Sequence, residues 1–391
     1  MKNLLYAKLS GFYFFFFASL GIIIPYFSLY LKDQGFGPGQ IGIVMGVIQG
    51  TKIIAPNLWG WIADVSGRRT LVIKLGTLLA LLCFSIIFID PGYALLALIM
   101  AFFSFFWNAV LPQFEAATLV TLGEGVHRYT LIRLWGSIGF ILSVVGLGWV
   151  FEHYGTESLP WFVLALLALL WLNAMLLRET SAEKEQEAGG SFWHILGNPA
   201  VLALLISCFL MKASHGPYYA FYTIYLEEFG YSRVAAGQLW AVGVVAEIGI
   251  FLVMHRWIPR FGAWKLLLAA MLLTVVRWAM IALLVESTVA VVAAQILHAA
   301  SFGVYHASAI QLIFQYFPGE LKGRGLALYA SLSFGLGGAL GSFASGYVWP
   351  SMGAPWVFGM GSLLALAAFI TAAFGARANG ISILKNRYIK I

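Results

Sequence analysis

Twelve apolar runs, each long enough to cross a bilayer, constrain this chain more than any other feature. They lie at 9–31, 40–63, 70–89, 92–122, 129–151, 159–177, 199–226, 233–255, 265–285, 288–317, 326–347 and 354–374. About 20 apolar residues, at about 1.5 Å of rise each, cover the hydrocarbon core. Backbone amides in lipid must be satisfied inside their own helix. The expected fold class is therefore an all-α integral membrane protein with twelve transmembrane helices. Only 10% of residues are charged, against about 25% in a soluble domain. The first run follows Lys2 and Lys8 and is too long for a signal segment, so it is expected to stay as the first helix. Cys83 and Cys208 both fall in apolar runs, which implies no disulfide framework.

Charge sets the expected orientation. With an even number of spans, most Lys and Arg fall on the side of the two termini. Lys32 and Arg233 fall opposite, and Lys52, Arg133, Lys212 and Arg277 fall within spans. The termini are accordingly expected in the cytoplasm, with the protein in a bacterial inner membrane. The basic balance is a topology signal and gives no reason to invoke nucleic acid.

The chain divides near its middle. Arg178 to Ser191 is the one sustained polar stretch, with Glu179, Glu183, Lys184, Glu185 and Glu187. The expected domains are a six-helix half at 1–178, a cytoplasmic linker at 179–198, a second six-helix half at 199–376 and a basic tail at 377–391. The halves repeat at an offset of about half the chain length. Gly35-Phe36-Gly37-Pro38 matches Gly230-Tyr231-Ser232-Arg233, and Gly67 matches Gly262. Parallel halves related by an axis along the membrane normal are a transporter plan, with the site between them at mid-depth. The same offset lays Lys52 on Glu247.

Ionisable residues inside spans are functional-site candidates with a partner to be named. Glu115 and Arg133 lie nine residues before and nine after Glu124, in the turn between the fourth and fifth runs. A helical rise places both roughly 13 Å from that turn, at matching depth. They can jointly hold a polar ligand, or form a structural ion pair. Lys52, Lys212, His215, Glu247 and Arg277 also lie near mid-span, and Lys212 and His215, three apart, are expected on one face. Cations outnumber carboxylates, and aromatics crowd Phe12–Phe17 and Tyr218–Tyr222. Such a cavity suits an organic anion with an apolar body. The expected substrate-binding residues are Glu115, Arg133, Lys52, Lys212, Arg277 and Tyr219. Glu247, His298 and His215 are expected to couple protons, because histidine titrates nearest neutral pH and burial raises a carboxylate toward it. Each histidine, His306 included, has a packing role as the alternative. Gly216-Pro217 reads as a flexing point or a static kink, and Gly337 with Gly341 as a helix-packing face. Neither metal-ligand spacing nor a phosphate loop is present, so the proton is the only coupling agent expected, without cofactors.

Gly60-Trp61-Ile62-Ala63-Asp64-Val65-Ser66-Gly67-Arg68-Arg69 resembles the loop 2–3 signature of the major facilitator superfamily, with Val65 in place of the usual base. The resemblance implies two pseudo-symmetric six-helix halves. It implies gating roles for Gly60, Asp64, Gly67, Arg68 and Arg69, with Arg324 a candidate partner for Asp64. Within the superfamily the chain is similar to the phenylpropionate permease group and, more distantly, to the lactose permease group of oligosaccharide–proton symporters. Arg133-Leu134-Trp135-Gly136, His215 with Tyr218, Tyr219 and Phe221, Leu239-Trp240, Gly243 to Glu247, Arg277-Trp278 and Gln295 to His298 carry the similarity. The lactose permease likeness implies substrate roles for Glu115 and Arg133, and a binding and coupling cluster of Glu247, Arg277 and His298. Gln295 and Ser301 stand where that group has a lysine and a glutamate, so its proton relay is incomplete here.

The expected function is proton-coupled uptake of a small organic anion, an aromatic carboxylate such as 3-phenylpropionate, by alternating access. The expected partners are that anion, protons and membrane lipid, and a monomer is expected. A sugar or nucleoside symporter and a drug exporter share the fold and stay open. A sensor or an intramembrane enzyme is the alternative of another class, without an output domain or a clustered catalytic constellation to support it.

Overall fold

The structure, a computed structural model of the chain, describes residues 2–90, 92–179, 192–319 and 321–380. Twelve helices among them are long and apolar enough to cross a membrane. They are α1 Leu4–Asp33, α2 Pro38–Ser66, α3 Arg69–Ile89, α4 Tyr93–Leu122, α5 Tyr129–Tyr154 and α6 Thr156–Met175. The second half comprises α7 Pro199–Glu228, α8 Arg233–Phe261, α9 Ala263–Leu283, α10 Thr288–Tyr316, α11 Leu321–Met352 and α12 Ala354–Ala378. Several overrun the sequence-based bounds, because a helix continues into the polar interface until a breaker stops it. Gly67, at φ 65°, ends α2 in the left-handed region that glycine tolerates.

Four spans change helix type in their interior. In α2 the helix tightens to a 3₁₀ turn at Thr51–Ile53, just before Pro56. In α7 it breaks at His215, since Pro217 has no amide to donate. Helices α10 and α11 loosen to π turns at Ala299–Val304 and Ser331–Gly337. By contrast Pro25 in α1 and Pro112 in α4 are absorbed without interrupting their helices.

Most of the expected linker and tail lies outside the described residues. The described margin of the linker is not simply solvated. The Glu179 carboxylate accepts the Thr70 amide at 2.9 Å and so caps the start of α3, a favourable place for an anion. Phe192–Leu196 form a short helix, with the Phe192 ring 5.6 Å from that of Phe317.

The two halves pack on each other in symmetry-related pairs: α2 on α11, α8 on α5, and α1 on α7. Small residues make the approach close. Gly42 and Gly346 leave no room for a Cβ on either backbone, and Gly237 lies against the Val144 carbonyl in the same way. These contacts sit toward the face opposite the chain termini, here the far face. There the packing is reinforced by charge: Lys32 meets Glu227 at 2.9 Å, and Arg233 meets Asp33 and Glu227 at 3.0 Å each. Toward the terminal face, the last turns of α2 pack within their own half, on α3 and α4. The halves therefore close at the far face and part toward the termini.

Candidate functional site

At mid-depth α4 and α5 bring Glu115 and Arg133 together, Oε1 to Nε, at 3.7 Å. That is an ion-pair distance but longer than a hydrogen bond. Both side chains are about one-third exposed, at 36% and 32%, so the pair stays open to a ligand. Arg133 lies flat on Phe17, its guanidinium carbon 4.0 Å from the ring centroid, with Tyr13 at 5.5 Å. Gly136 permits this arrangement, because a Cβ there would strike Phe17 at 2.7 Å. Trp135 donates to the Tyr6 hydroxyl at 3.0 Å. The run from Arg133 to Gly136 thus places a guanidinium on an aromatic floor.

In the other half α8 and α10 set Glu247 against His298, Oε2 to Nε2, at 3.6 Å. Gly243, one turn earlier on α8, leaves room for the imidazole. His298 lies between the rings of Tyr218, at 5.7 Å, and Phe302, at 5.6 Å. Arg133 and Lys212 both lie within electrostatic range of Glu247.

The remaining expected site residues do not converge on one cavity. Arg277 is fully buried, and its donors are taken by the Ala294 carbonyl at 3.0 Å, Ser301 at 2.8 Å and Gln295 at 3.3 Å. It also stacks on Tyr218 and Trp278, each at 4.4 Å. In this conformation Arg277 is a member of the wall, each of its three guanidinium nitrogens having a partner. Gln295 and Ser301, which stand where the sugar symporters have charges, are its neutral partners.

Lys52 projects from the 3₁₀ turn of α2 and donates to Gln49 Oε1 of the preceding turn at 2.5 Å. Its repeat mate Glu247 pairs elsewhere. Lys212 and His215 stay on the same helical stretch, since α7 breaks only after His215, and the ammonium lies within electrostatic range of the imidazole. His215 is buried, with Nδ1 at 2.7 Å from the Met211 carbonyl and its ring edge-on to Trp278. The Lys212 ammonium lies among the rings of Phe302, Phe334 and Tyr305. Tyr219 is half-buried beside His215, with ring centroids 6.0 Å apart. His306 bonds the Tyr329 hydroxyl at 3.0 Å.

The gating motif forms a closed turn of its own. Asp64 pairs with Arg69, five residues on, and not with Arg324, which is exposed at the start of α11. The parted terminal face explains the difference, since it withdraws α11 from the end of α2. Gly60 packs on Gln113 of α4, and Arg68 is exposed.

Within the aromatic run of α1, Phe17 and Tyr13 floor Arg133, and Gln295 and Ser301 hold Arg277. Phe302 and Phe334, which the sequence reading did not single out, flank Lys212. Most aromatics of α1 and α7 pack instead into the walls: Phe12 stacks on Phe114 at 3.7 Å and Phe221 on Trp349 at 4.7 Å. Among the described residues, no cluster of three or more His, Cys, Asp or Glu could hold a metal.

A family model described as "MFS_1 like family" matches residues 6–360. A probable 3-phenylpropionic acid transporter of Escherichia coli (strain K12) is 30% identical over 368 residues, covering 91% of this chain and 94% of that relative. The maltose permease of Geobacillus stearothermophilus is 27% identical over 86% of each chain. Among solved structures, the nucleoside transporter NupG superposes with a TM-score of 0.79 at 17% identity, covering 97% of this chain and all of that one.

Proposed function

This chain belongs to the MFS_1 like family of major facilitator transporters, and on that premise we propose that it takes up a small organic anion together with protons. The cargo class we assign is an aromatic carboxylate, with 3-phenylpropionate the first to try. One observation carries the reading: at mid-depth a guanidinium, Arg133, lies half-open on an aromatic floor, with its carboxylate partner 3.7 Å away. A carboxylate with a ring attached matches both features, since a guanidinium fork binds carboxylates bidentately and Phe17 and Tyr13 offer ring contacts. The name of the Escherichia coli relative supports the same cargo.

Proton coupling is assigned to Glu247 with His298. A carboxylate and an imidazole paired at 3.6 Å can pass a proton once the contact closes to hydrogen-bond distance as the access of the cleft alternates. The basic residues near the termini put the terminal face in the cytoplasm, and the structure then corresponds to the state open to the cytoplasm. The maltose permease relative favours one rival, sugar–proton symport.

The deciding experiment is the pH of a lightly buffered suspension of de-energised cells overproducing the protein. Alkalinisation on adding 3-phenylpropionate, beyond that of cells lacking the protein, is the expected result. A response to maltose or lactose alone would replace the anion by a sugar.

A further inference from the structure

The cations inside the spans differ in what they have to offer a ligand. Each guanidinium nitrogen of Arg277 has an acceptor, Lys52 donates to Gln49, and Arg133 faces Glu115. Lys212 is 1% exposed, and its ammonium has no hydrogen-bond partner among the described residues. The carboxylate that acts on it, Glu247, is paired with His298. Three rings surround the ammonium instead: Phe334 at 4.1 Å, Phe302 at 4.2 Å and Tyr305 at 5.4 Å. Ring faces attract a cation but supply neither an acceptor nor a counter-charge, so they offset only part of the cost of burying it.

The position of those rings gives the site a direction. Phe302 and Phe334 belong to the π turns of α10 and α11, and both are half-buried, whereas Lys212 beneath them is enclosed. Their ring centroids are 6.3 Å apart, and His306 packs against both. A π turn holds an extra residue per turn and shifts toward α-helical register without breaking the helix, and such turns concentrate at functional sites.

Resting on the aromatic-acid reading above, we infer that Phe302 and Phe334 form a lid over an anion subsite whose floor is Lys212. When the lid parts, the substrate carboxylate reaches the Lys212 ammonium, and the aromatic body of the substrate takes the place between the two rings. The subsite selects on both ends of the molecule. Lys212 demands a negative charge, and the Phe302–Phe334 pair rewards a flat apolar body over a short alkyl chain.

Binding to the purified full-length protein in lipid nanodiscs tests this, with 3-phenylpropionate, its uncharged amide 3-phenylpropionamide, and butyrate as probes. The wild-type chain is expected to prefer acid over amide at least tenfold. Lys212→Gln should lower that preference several-fold by losing affinity for the acid, the remainder resting on Arg133, and Lys212→Arg should restore part of it. Phe302→Leu and Phe334→Leu should each reduce the preference for 3-phenylpropionate over butyrate several-fold while leaving the acid-over-amide preference. Wild-type affinity for the acid in Lys212→Gln overturns the subsite and leaves the proposed function standing. If Lys212→Gln does not fold, the two leucine variants decide, and an unchanged ratio of 3-phenylpropionate to butyrate overturns the lid. A wild-type chain that binds neither acid removes the aromatic-acid reading, and the subsite with it.

Discussion

Lys32 and Glu227 stand 195 residues apart, at equivalent places in the two halves, and their side chains meet at 2.9 Å across the join between them. The pair therefore lies close to the pseudo-twofold axis, at the far end of α1 and α7. Arg233 doubles it, reaching Asp33 and Glu227 at 3.0 Å each and the Phe151 carbonyl at 3.2 Å. The Glu152 carboxylate accepts the Arg233 amide at 2.6 Å. All these bonds but the one within the second half must break for the far face to open. Partly exposed pairs are worth about 0.2–1 kcal/mol each. Losing the Arg233 pairs should shift the balance of states by a few-fold to about tenfold toward far-face opening. Spin labels placed at Gln34 and Glu286, in a variant with Cys83 and Cys208 replaced by serine, should report a longer distance population in Arg233→Ala. The double exchange Lys32→Glu with Glu227→Lys disturbs the contact with Arg233 and should recover less than full closure. An unchanged distance distribution in Arg233→Ala would show that glycine packing and the Lys32–Glu227 pair hold the face shut without the Arg233 side chain.

Arg133→Lys should weaken binding of a carboxylate substrate by more than tenfold, although the charge is kept. The guanidinium lies flat on Phe17 at 4.0 Å, and an ammonium offers neither the planar stack nor the two-pronged fork. Equilibrium binding of 3-phenylpropionate to purified protein checks this. Equal affinity would mean that Arg133 serves only its ion pair with Glu115.

Glu247→Gln should separate transport from the proton gradient. The change keeps the shape of the side chain beside His298 but removes the titrating oxygen. Accumulation against a gradient should fall to equilibration, while exchange of labelled for unlabelled substrate continues at a substantial fraction of the wild-type rate. Uphill accumulation at the wild-type level would assign the proton to another group.

What the sequence discloses about this protein follows from how local each feature is. Span length and apolarity are local, so all twelve helices are legible, with errors confined to their ends. The meeting of Glu115 and Arg133 is legible because both are counted from one hairpin turn. Lys212 and His215 are legible as neighbours because they precede the break in α7, but the rings that Lys212 meets come from α10 and α11 and leave no local signal. The partner of Asp64 depends on which face is open, and a sequence carries no such information. Arg277 is legible as a buried cation, yet only the packing of α9 on α10 reveals that Gln295 and Ser301 are its partners. The far-face network leaves a signal that charge counting contains: Lys32 and Arg233 are the basic residues on the side where basic residues are scarce, and both are spent on the join.

The tightest joint in the second half is where α7 breaks. A Cβ on Gly216 would lie 2.1 Å from the Gly341 carbonyl carbon, and one on Gly341 would lie 2.2 Å from the Ala213 carbonyl oxygen. Backbone meets backbone on both sides, so neither neighbour can turn a side chain aside. Gly341→Ala must instead push α11 away from α7, and forced packing of this kind costs about 1–3 kcal/mol. The same displacement would carry the π turn of α11 with it, and Gly337 of that turn already lies against the Phe209 carbonyl. Gly341→Ala is therefore expected to lower the melting temperature of the protein in detergent by several degrees and to loosen the Phe334 side of the lid. Gly359→Ala, on α12 with open space around its Cα, should leave the melting temperature within about a degree of wild type. Comparable losses in both variants would point to the backbone freedom of glycine, and a loss confined to Gly341→Ala to the close approach of the two helices.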